Sequence, residues 1–293
     1  METISVVVPC YNEEDVLKSF YNEMIKVASE IKNVDFEILF IDDGSKDNSV
    51  EVIKKYLTDK RIKLFVNEEN LGLSKTVQKG VEIASSEWIA FLESDDKFFP
   101  NALEEKVKAI STGADVIFTG LELFGEEKSI QFFQQYFDEI GKKYIDYSTS
   151  GFVENFTKIL PMINPIPTFS VVMLKKELLR KCKFTPFCKS SLDYYLWAQL
   201  SSFCKFYYIS EKLTYWRLHK DSYINREKYN WFQKYLFIVI IYAQTIKNKN
   251  FLLRCLLIIN YMRARLIYLK LDKSSIKLNL ANNSFIFEKK FNQ

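Results

Sequence analysis

The chain has 293 residues, of which 48% are hydrophobic and 27% are charged, and its formal net charge at pH 7 is +4. The hydrophobic content excludes global disorder, and so small a charge does not indicate nucleic-acid binding. The length fits one large domain, or one domain with a helical appendage. The five cysteines are scattered and form neither a CxxC pair nor a metal-ligand spacing. Because no targeting segment is recognised before the first predicted strand, we expect reduced thiols in a cytoplasmic protein.

Predicted strands and helices alternate over the first 120 residues. The β-branched run at 4–8 is typical of a strand buried on both faces of a parallel sheet. Further strands are predicted at 36–41, 62–66, 88–92 and 114–118. Helices are predicted at 15–31, from a cap at Asp47 or Asn48 through Leu57, at 74–84 and at 101–110. This alternation predicts a doubly wound α/β sheet.

The rest of the chain is less uniform. Residues 120–167 are irregular and rich in Phe, Tyr and Gln, which fits either loops that shape a substrate pocket or plain connecting structure. Strands are predicted at 169–174 and 205–209, and helices at 175–181 and 192–200. Long amphipathic helices follow at 229–246 and 251–271, and their Lys and Arg residues interleave with apolar ones. Such helices either dock on an anionic membrane surface, cover the sheet, or form an oligomer contact.

Polar clusters follow three of the predicted strands, at 9–13, 42–45 and 93–96. Ligands of doubly wound sheets bind beyond the carboxyl ends of the strands, so we expect these clusters to form one site. The third cluster holds three carboxylates within four residues, and these repel each other unless a cation lies among them. A hard divalent cation with a phosphate-bearing substrate fits this cluster; the alternative is an acidic turn in water.

Four segments together resemble a known family. VVVPCYNEE, FIDDGSKDNS, NLGLSKTVQKG and FLESDD look like the motifs of the nucleotide-sugar glycosyltransferases of family 2. The resemblance implies a GT-A fold, which is a Rossmann-like α/β fold with a mostly parallel central sheet flanked by helices. It implies a GT-A domain at 1–225, with a nucleotide-binding half at 1–120 and an acceptor-binding half at 121–225. A C-terminal amphipathic helical region would follow at 226–293.

The resemblance implies donor-binding roles for residues of the first two segments. In the family the first loop, here Pro9, Tyr11 and Glu13, lies against the uracil and ribose of the donor. Tyr11 either stacks on the base or packs under the loop, and Glu13 is also a first-turn acid that favours the helix dipole. In the second segment, Asp42 and Asp43 are candidates to read the base and ribose. By position Asp43 matches the family's base-reading Asp better.

The third and fourth segments match the family with substitutions. In the third segment Gly72 stands where the family usually has glycine. The Arg-Asn pair that many members carry is absent, and residues 77–78 are Val and Gln instead. The fourth segment reads Glu93-Ser94-Asp95-Asp96, in which Glu93 replaces the first Asp of the usual Asp-x-Asp and Ser94 stands at the variable position. By position Asp95 is the metal ligand, and Glu93 reaches the ribose or a metal-bound water.

Two later segments extend the resemblance. Asp193 matches the family's general base, although an Asp there is also a good helix cap. A Tyr-x-Arg-x-His-x-x-Ser pattern covers 215–222 and contains the single histidine of the chain, His219. The pattern implies that His219 lies near the diphosphate or the metal, whereas a lone histidine is usually structural. Arg217 and Lys220 are candidates to neutralise phosphate charge.

The resemblance implies a metal-dependent, inverting glycosyltransferase that uses a UDP-sugar and Mn²⁺ or Mg²⁺. The expected acceptor is a glycan or a lipid-linked saccharide in bacterial surface polysaccharide assembly, such as capsule or lipopolysaccharide. We expect a cytoplasmic location, or a peripheral one on the inner face of the membrane, and a homo-oligomer is compatible with the sequence.

One alternative is a nucleotidyltransferase, which would need a Gly/Arg/Lys-rich phosphate loop after the first strand. The other is a degenerate nucleotide-sugar-binding module, which the substitutions at Val77, Glu93 and Leu192 leave open.

Overall fold

Four parallel strands form the first half of the sheet in the computed structural model. The structure describes residues 2–30, 34–160, 163–185 and 191–219, and two short strands near the C-terminus. The parallel strands are β1 (Glu2–Cys10), β2 (Val34–Asp42), β3 (Ile62–Val66) and β4 (Trp88–Phe91), in the order β3-β2-β1-β4. The helices that alternate with them are α1 (Glu14–Glu30), α2 (Ser49–Lys54), α3 (Leu73–Ile83) and α4 (Ala102–Lys108).

The strand β1 is buried by helices on both faces. Its alternate residues Ile4 and Val6 belong to one hydrophobic cluster with Leu17 and Phe20 of α1. Val7 points the other way, towards Gly80 of α3. Because neighbouring strand residues face opposite sides of a sheet, this alternation confirms the predicted layers of helix, sheet and helix.

The second half of the sheet is mixed. It contains β5 (Lys97–Phe98), β6 (Val116–Gly125), β7 (Gly151–Phe152), β8 (Val172–Lys175) and β9 (Phe206–Leu218). The strand β8 runs antiparallel between β4 and β6, which joins the two halves. The strand β9 runs parallel to β6 and antiparallel to β5 and β7.

Residues 120–167 are more regular than the sequence predicts. The strand β6 continues to Gly125, and the 17-residue helix α5 (Glu127–Lys143) begins two residues later. The short helix α6 (Phe156–Ile159) follows. The ring of Phe133 in α5 packs edge-on against Trp216 of β9, with centroids 4.7 Å apart. Tertiary packing therefore supports a helix whose aromatic composition gives it little propensity of its own.

The later elements differ from prediction mainly in their bounds. The helices α7 (Lys176–Arg180) and α8 (Leu192–Leu200) agree with the predicted ones. The predicted strand at 169–174 begins instead as a 3-10 turn, Phe169–Val171, because the Thr168 side chain accepts the backbone N–H of Ser170. The strand β9 is longer than the predicted 205–209, and its register against β6 shifts on either side of Gly120.

The C-terminal unit, 249–293, is described by two strands alone. These are β10 (Lys277–Asn279) and β11 (Ser284–Ile286), which pair antiparallel. The predicted helices at 229–246 and 251–271 lie outside the described residues, so the membrane contact proposed for them stays a prediction. Among the helices that the structure describes, none has the length and apolarity needed to cross a membrane.

Candidate active site

A single cavity opens at the carboxyl ends of β1, β2 and β4, where the sequence predicts a site. It brings together segments that lie up to 210 residues apart in the chain, from Pro9 to His219. Eleven predicted site residues line it: Pro9, Tyr11, Glu13, Asp43, Gly72, Glu93, Ser94, Asp95, Asp193, Arg217 and His219. Two predicted residues are not among them. Asp42 is fully buried and is not a lining residue, and Lys220 lies outside the described residues.

The neighbouring acids Asp42 and Asp43 have different roles because neighbouring residues of an extended strand point to opposite sides. Asp42 is fully buried, and its carboxylate accepts the backbone N–H groups of Gly44 and Ser45 at 3.1 and 2.9 Å and the Ser45 hydroxyl. It therefore shapes the turn after β2 and is not among the residues that line the cavity, so its contact with the nucleotide stays a prediction. A carboxylate that accepts the backbone N–H groups two and three residues ahead is a common turn device.

Asp43 holds the loop that follows β3. Its Oδ1 accepts the Asn67 amide and the Leu71 N–H, both at 2.9 Å, and its Oδ2 accepts the Gly72 N–H at 2.9 Å. Gly72 has φ +84°, a conformation that favours glycine, and it precedes the first turn of α3. Asp43 thus fixes one wall of the cavity and also lines it.

The loop after β1 is held against the loop after β2. Asn12 adopts φ +55°, its N–H donates to the Ser45 hydroxyl at 2.9 Å, and its side-chain oxygen accepts the Lys46 N–H at 2.8 Å. The N–H of Glu13 donates to the Ser49 hydroxyl at 2.7 Å. These bonds set the backbone directly after Tyr11, which lines the cavity.

The acidic turn after β4 is mostly buried, which contradicts the alternative of an acidic turn in water. The N–H of Asp96 donates to the carbonyl of Glu93 at 3.0 Å, and this bond closes the turn. The Thr168 hydroxyl lies 2.7 Å from Glu93 Oε2 and 3.4 Å from Asp96 Oδ2. The Ser170 hydroxyl accepts the Glu93 N–H at 2.9 Å. Neither Thr168 nor Ser170 belongs to a motif, so the sequence does not indicate their contribution.

The carboxylates of this turn have strongly shifted acidities. Burial raises the pKa of Glu93 to about 8; the charge of Asp95 adds to the rise, and the hydrogen bond from Thr168 opposes it. Burial and the charges of Asp95 and Glu93 raise the pKa of Asp96 well above its ordinary range. Asp96 Oδ1 also accepts the backbone N–H of Arg217 at 2.9 Å, which ties the turn to the end of β9. Asp96 is therefore a support of the turn.

Asp95 contacts His219 directly. Asp95 Oδ2 and His219 Nε2 are 3.0 Å apart, and both side chains are partly exposed to the cavity. Two neighbouring ligands of one small divalent cation, each about 2.1 Å from it, are also roughly 3 Å apart. Among the residues that the structure describes, no three His, Cys, Asp or Glu side chains form a metal cluster. The donor set fits a cation that takes two protein ligands and completes its shell with water or phosphate oxygens.

Asp193 lies in the first turn of α8 with a side chain 9% exposed. The N-cap position belongs to Ser191, so the alternative of Asp193 as the helix cap does not hold. The Asn164 amide donates to Asp193 Oδ2 at 3.3 Å. Asp193 and the acidic turn line the same cavity, and the charge of Asp193 contributes to the raised pKa of Glu93.

The cavity as a whole is acidic. Among the described residues that line it, five carry carboxylates, and Arg217 and His219 supply the basic groups. Apolar side chains from the segment before β8 and from α8 and β9 complete it, and these are Pro167, Phe169, Leu192 and Trp216. Asp43 and Gly72, the pair Asp95 and His219, and Asp193 therefore line one cavity from separate segments of the chain.

Sequence comparisons relate this chain to known glycosyltransferases. A family model described as Glycosyl transferase family 2 matches residues 5–181. An uncharacterized glycosyltransferase from Methanocaldococcus jannaschii is 30% identical over 231 residues, which cover 77% of this chain and 74% of that protein. An uncharacterized glycosyltransferase from Rickettsia bellii is 29% identical over 236 residues, which cover 78% of this chain and 31% of that longer protein.

Solved structures share the fold at low sequence identity. A fragment of S. aureus TarS in complex with UDP-GlcNAc has a TM-score of 0.67 and 17% identity, over 93% of this chain and 76% of the fragment. The mannosyltransferase PcManGT from Pyrobaculum calidifontis, in complex with GDP-Man and Mn²⁺, has a TM-score of 0.58 and 14% identity, over 92% of this chain and 70% of its own. These likenesses confirm the predicted GT-A fold.

Proposed function

This chain belongs to glycosyltransferase family 2, and on that premise we propose an inverting, cation-dependent transfer from a UDP-sugar to a hydroxyl group of a glycan or lipid-linked saccharide. The observation that carries this proposal is the meeting of Asp193 with Asp95, His219 and Asp43 in one cavity. A base, a cation position and a nucleoside wall are the three parts that such a transfer needs. The proposed setting is the assembly of a bacterial surface polysaccharide at the cytoplasmic face of the membrane.

The charge of the cavity supports the need for a cation. A nucleoside diphosphate is itself negative, and the five carboxylates of the described lining would repel it. Asp95 and His219 would hold Mn²⁺ or Mg²⁺, which when bound acts as a Lewis acid on the diphosphate leaving group. Arg217, at the end of β9, would add a fixed positive charge beside the phosphates. A cation held by Asp95 would lower the pKa of Glu93, which is about 8, because a neighbouring positive charge stabilises the ionised carboxylate.

Asp193 is the proposed general base, because its residue lines the cavity together with the acidic turn. In the proposed step it removes the proton of the acceptor hydroxyl while the oxygen of that hydroxyl forms a bond to the anomeric carbon. The bond from the anomeric carbon to the diphosphate oxygen breaks, and UDP leaves with that electron pair. Attack from the face opposite the diphosphate inverts the anomeric configuration. Asp43, Gly72 and Tyr11 hold the nucleoside meanwhile.

Substitution of Asp193 tests the proposal. We expect Asp193→Asn to lower the release of UDP from a UDP-sugar at least about 100-fold, because the base is lost, while UDP binding with Mn²⁺ stays unchanged. The assay would screen UDP-glucose, UDP-N-acetylglucosamine, UDP-galactose and GDP-mannose. The matched control is Asp138→Asn, the same change at an exposed position of α5. Full turnover by Asp193→Asn would refute the assigned base.

The same assay separates the alternatives. A binding module without turnover would bind UDP in a Mn²⁺-dependent manner and release no nucleoside diphosphate, UDP or GDP, from any of the four donors. A nucleotidyltransferase would instead release pyrophosphate from UTP and a sugar phosphate. We expect neither result, since Asp193, the proposed base, and Asp43, the proposed nucleoside contact, line the same cavity.

A further inference from the structure

Asn164 is held from behind the cavity by Tyr136 of α5. The Tyr136 hydroxyl donates to the carbonyl of Asn164 at 3.1 Å and accepts the backbone N–H of the same residue at 3.2 Å. The backbone C=O and N–H of Asn164 thus both hydrogen-bond to the hydroxyl of Tyr136. Tyr136 is itself fixed, because its ring packs edge-on against Phe133 and Phe137.

The orientation of the Asn164 side chain is also determined. Its Oδ1 accepts the N–H of Ile166 at 3.2 Å, so its amide nitrogen must face the other way, towards Asp193. That nitrogen is 3.3 Å from Asp193 Oδ2. The indole N–H of Trp197, one turn after Asp193 on α8, donates to the Ile166 carbonyl at 3.3 Å. Two hydrogen bonds, at Asp193 and at Trp197 on successive turns of α8, therefore join this helix to the segment 164–166.

We propose that Asn164 and Tyr136 are positioning residues for Asp193. Tyr136 fixes the backbone of Asn164, and the Asn164 amide holds the Asp193 carboxylate in the orientation from which it takes the acceptor proton. Neither residue lines the cavity, so each acts through Asp193 and touches no substrate. The inference rests on the proposed role of Asp193 and extends it to a support that no sequence motif contains.

Two tyrosines provide a matched test. Tyr136→Phe removes the hydroxyl that holds Asn164 and keeps the ring. Tyr147→Phe removes a hydroxyl that donates to the carbonyl of the next residue, Pro165, at 3.0 Å, and it also keeps its ring. We expect Tyr136→Phe and Asn164→Ala to lower kcat about 10- to 100-fold, because misplacement of a reacting group is costly, with KM for the donor unchanged. Tyr147→Phe should keep kcat within about twofold, since it leaves the Asn164 contacts in place.

A titration provides a readout that needs no turnover. Asp193 interacts electrostatically with Glu93 after β4 and with Tyr136 on α5, and Asp95, Arg217 and His219 line the same cavity. A carboxylate that loses a hydrogen-bond donor has a higher pKa. The ¹³C NMR signal of the Asp193 carboxyl, assigned with Asp193→Asn, should therefore titrate at higher pH in Asn164→Ala than in the wild type. It should not move in Tyr147→Phe.

The outcomes distinguish this inference from the proposed function. If Asp193→Asn keeps full turnover, the assigned base is wrong. If Asp193→Asn is inactive but Asn164→Ala and Tyr136→Phe keep wild-type kcat and an unshifted Asp193 titration, the positioning role alone is wrong. Equal losses of kcat in Tyr136→Phe and Tyr147→Phe would also overturn it, because they would reflect general loosening of the segment.

Discussion

Glu37 shows how a single buried charge contributes to stability away from the cavity. It lies in the first half of β2 with 7% of its surface exposed, and the hydroxyls of Ser5 and Ser85 donate to its Oε1 at 2.6 and 2.7 Å. Lys63 donates to Oε2 at 2.6 Å. Burial would raise the pKa of Glu37, but the hydrogen bonds of Lys63, Ser5 and Ser85 outweigh it and lower this pKa from 4.5 to about 2. The ionised form is therefore the one that stabilises the fold.

We expect Glu37→Gln to lower the free energy of unfolding at pH 7 by about 1–3 kcal/mol, because charge-assisted bonds are lost in a buried position. A folded-state pKa below the unfolded one gives stability that is complete above about pH 4.5 and is lost as the pH falls towards 2. Urea unfolding at pH 7 and pH 3 should therefore show a smaller difference between wild type and variant at pH 3.

The control for Glu37 is Glu51→Gln, which breaks an exposed ion pair with Lys54 on α2. Exposed pairs contribute about 1 kcal/mol or less. If the two variants lose equal stability, or if the Glu37 effect is the same at both pH values, burial is not the source of the contribution of Glu37.

At the scale of elements, the contact between α3 and β1 depends on the absence of a side chain. A Cβ at Gly80 would lie 2.5 Å from Val7 Cγ1 and 3.4 Å from Ile41 Cγ1. Val7 is fully buried and branched at Cβ, so it has little freedom to move aside. The helix can approach the sheet closely only with glycine at this position.

Gly80→Ala should therefore destabilise the protein by about 1–3 kcal/mol through overpacking. A loss in the upper part of this range outweighs the roughly 1 kcal/mol of helix propensity that alanine gains over glycine. Gly151→Ala in β7 is the control, because a Cβ there meets nothing within 4 Å and should change stability by no more than about 0.5 kcal/mol. A neutral Gly80→Ala, measured by thermal or urea unfolding, would contradict the packing argument.

The sequence predicts elements well where local patterns decide them. The continuous apolar runs of β1 to β4 and the bounds of α8 follow from such patterns. The helix α5 does not, because its stabilising partner Trp216 is about 80 residues away in the chain. The full length of β9 is also hidden, because the polar residues at 210–212, of which Glu211 and Lys212 are exposed, interrupt its apolar pattern where the register to β6 shifts.

The same distinction applies to the candidate site. Carboxyl ends of parallel strands meet at one edge, so the polar clusters after β1, β2 and β4 predict most of the cavity. Which of Asp42 and Asp43 reaches the cavity depends on the direction of each side chain in the strand. Asn164 and Thr168 reach their partners across 29 and 75 residues, and no local pattern reports contacts of that kind.

At the scale of the whole molecule, the cavity is closed by the two ends of the described GT-A part. The loop after β1 contributes Tyr11, and the end of β9 contributes Arg217 and His219. A ligand in the cavity contacts both ends, so its binding free energy adds to the stability of the folded chain.

We expect UDP and Mn²⁺ together, at about 100 times the dissociation constant, to stabilise the fold by roughly 2.7 kcal/mol and to raise Tm by on the order of 5 °C. UDP alone should give a much smaller shift, because the acidic lining repels the diphosphate. Uridine, which has no phosphates, should show no dependence on Mn²⁺. Asp95→Asn should abolish the Mn²⁺ effect, while Asp138→Asn keeps it. Equal UDP shifts with and without Mn²⁺ would contradict the cation position.

The three hydrogen bonds from the loop after β3 to Asp43 have a consequence for the kinetics of nucleotide binding. Asn67, Leu71 and Gly72 are held in place by the protein itself, so this wall is ordered before any ligand arrives. Binding to a preorganised wall avoids the entropy cost of ordering a loop. We therefore expect nucleotide association to be a single fast phase limited by encounter, with differences in affinity between nucleotides residing in their dissociation rates.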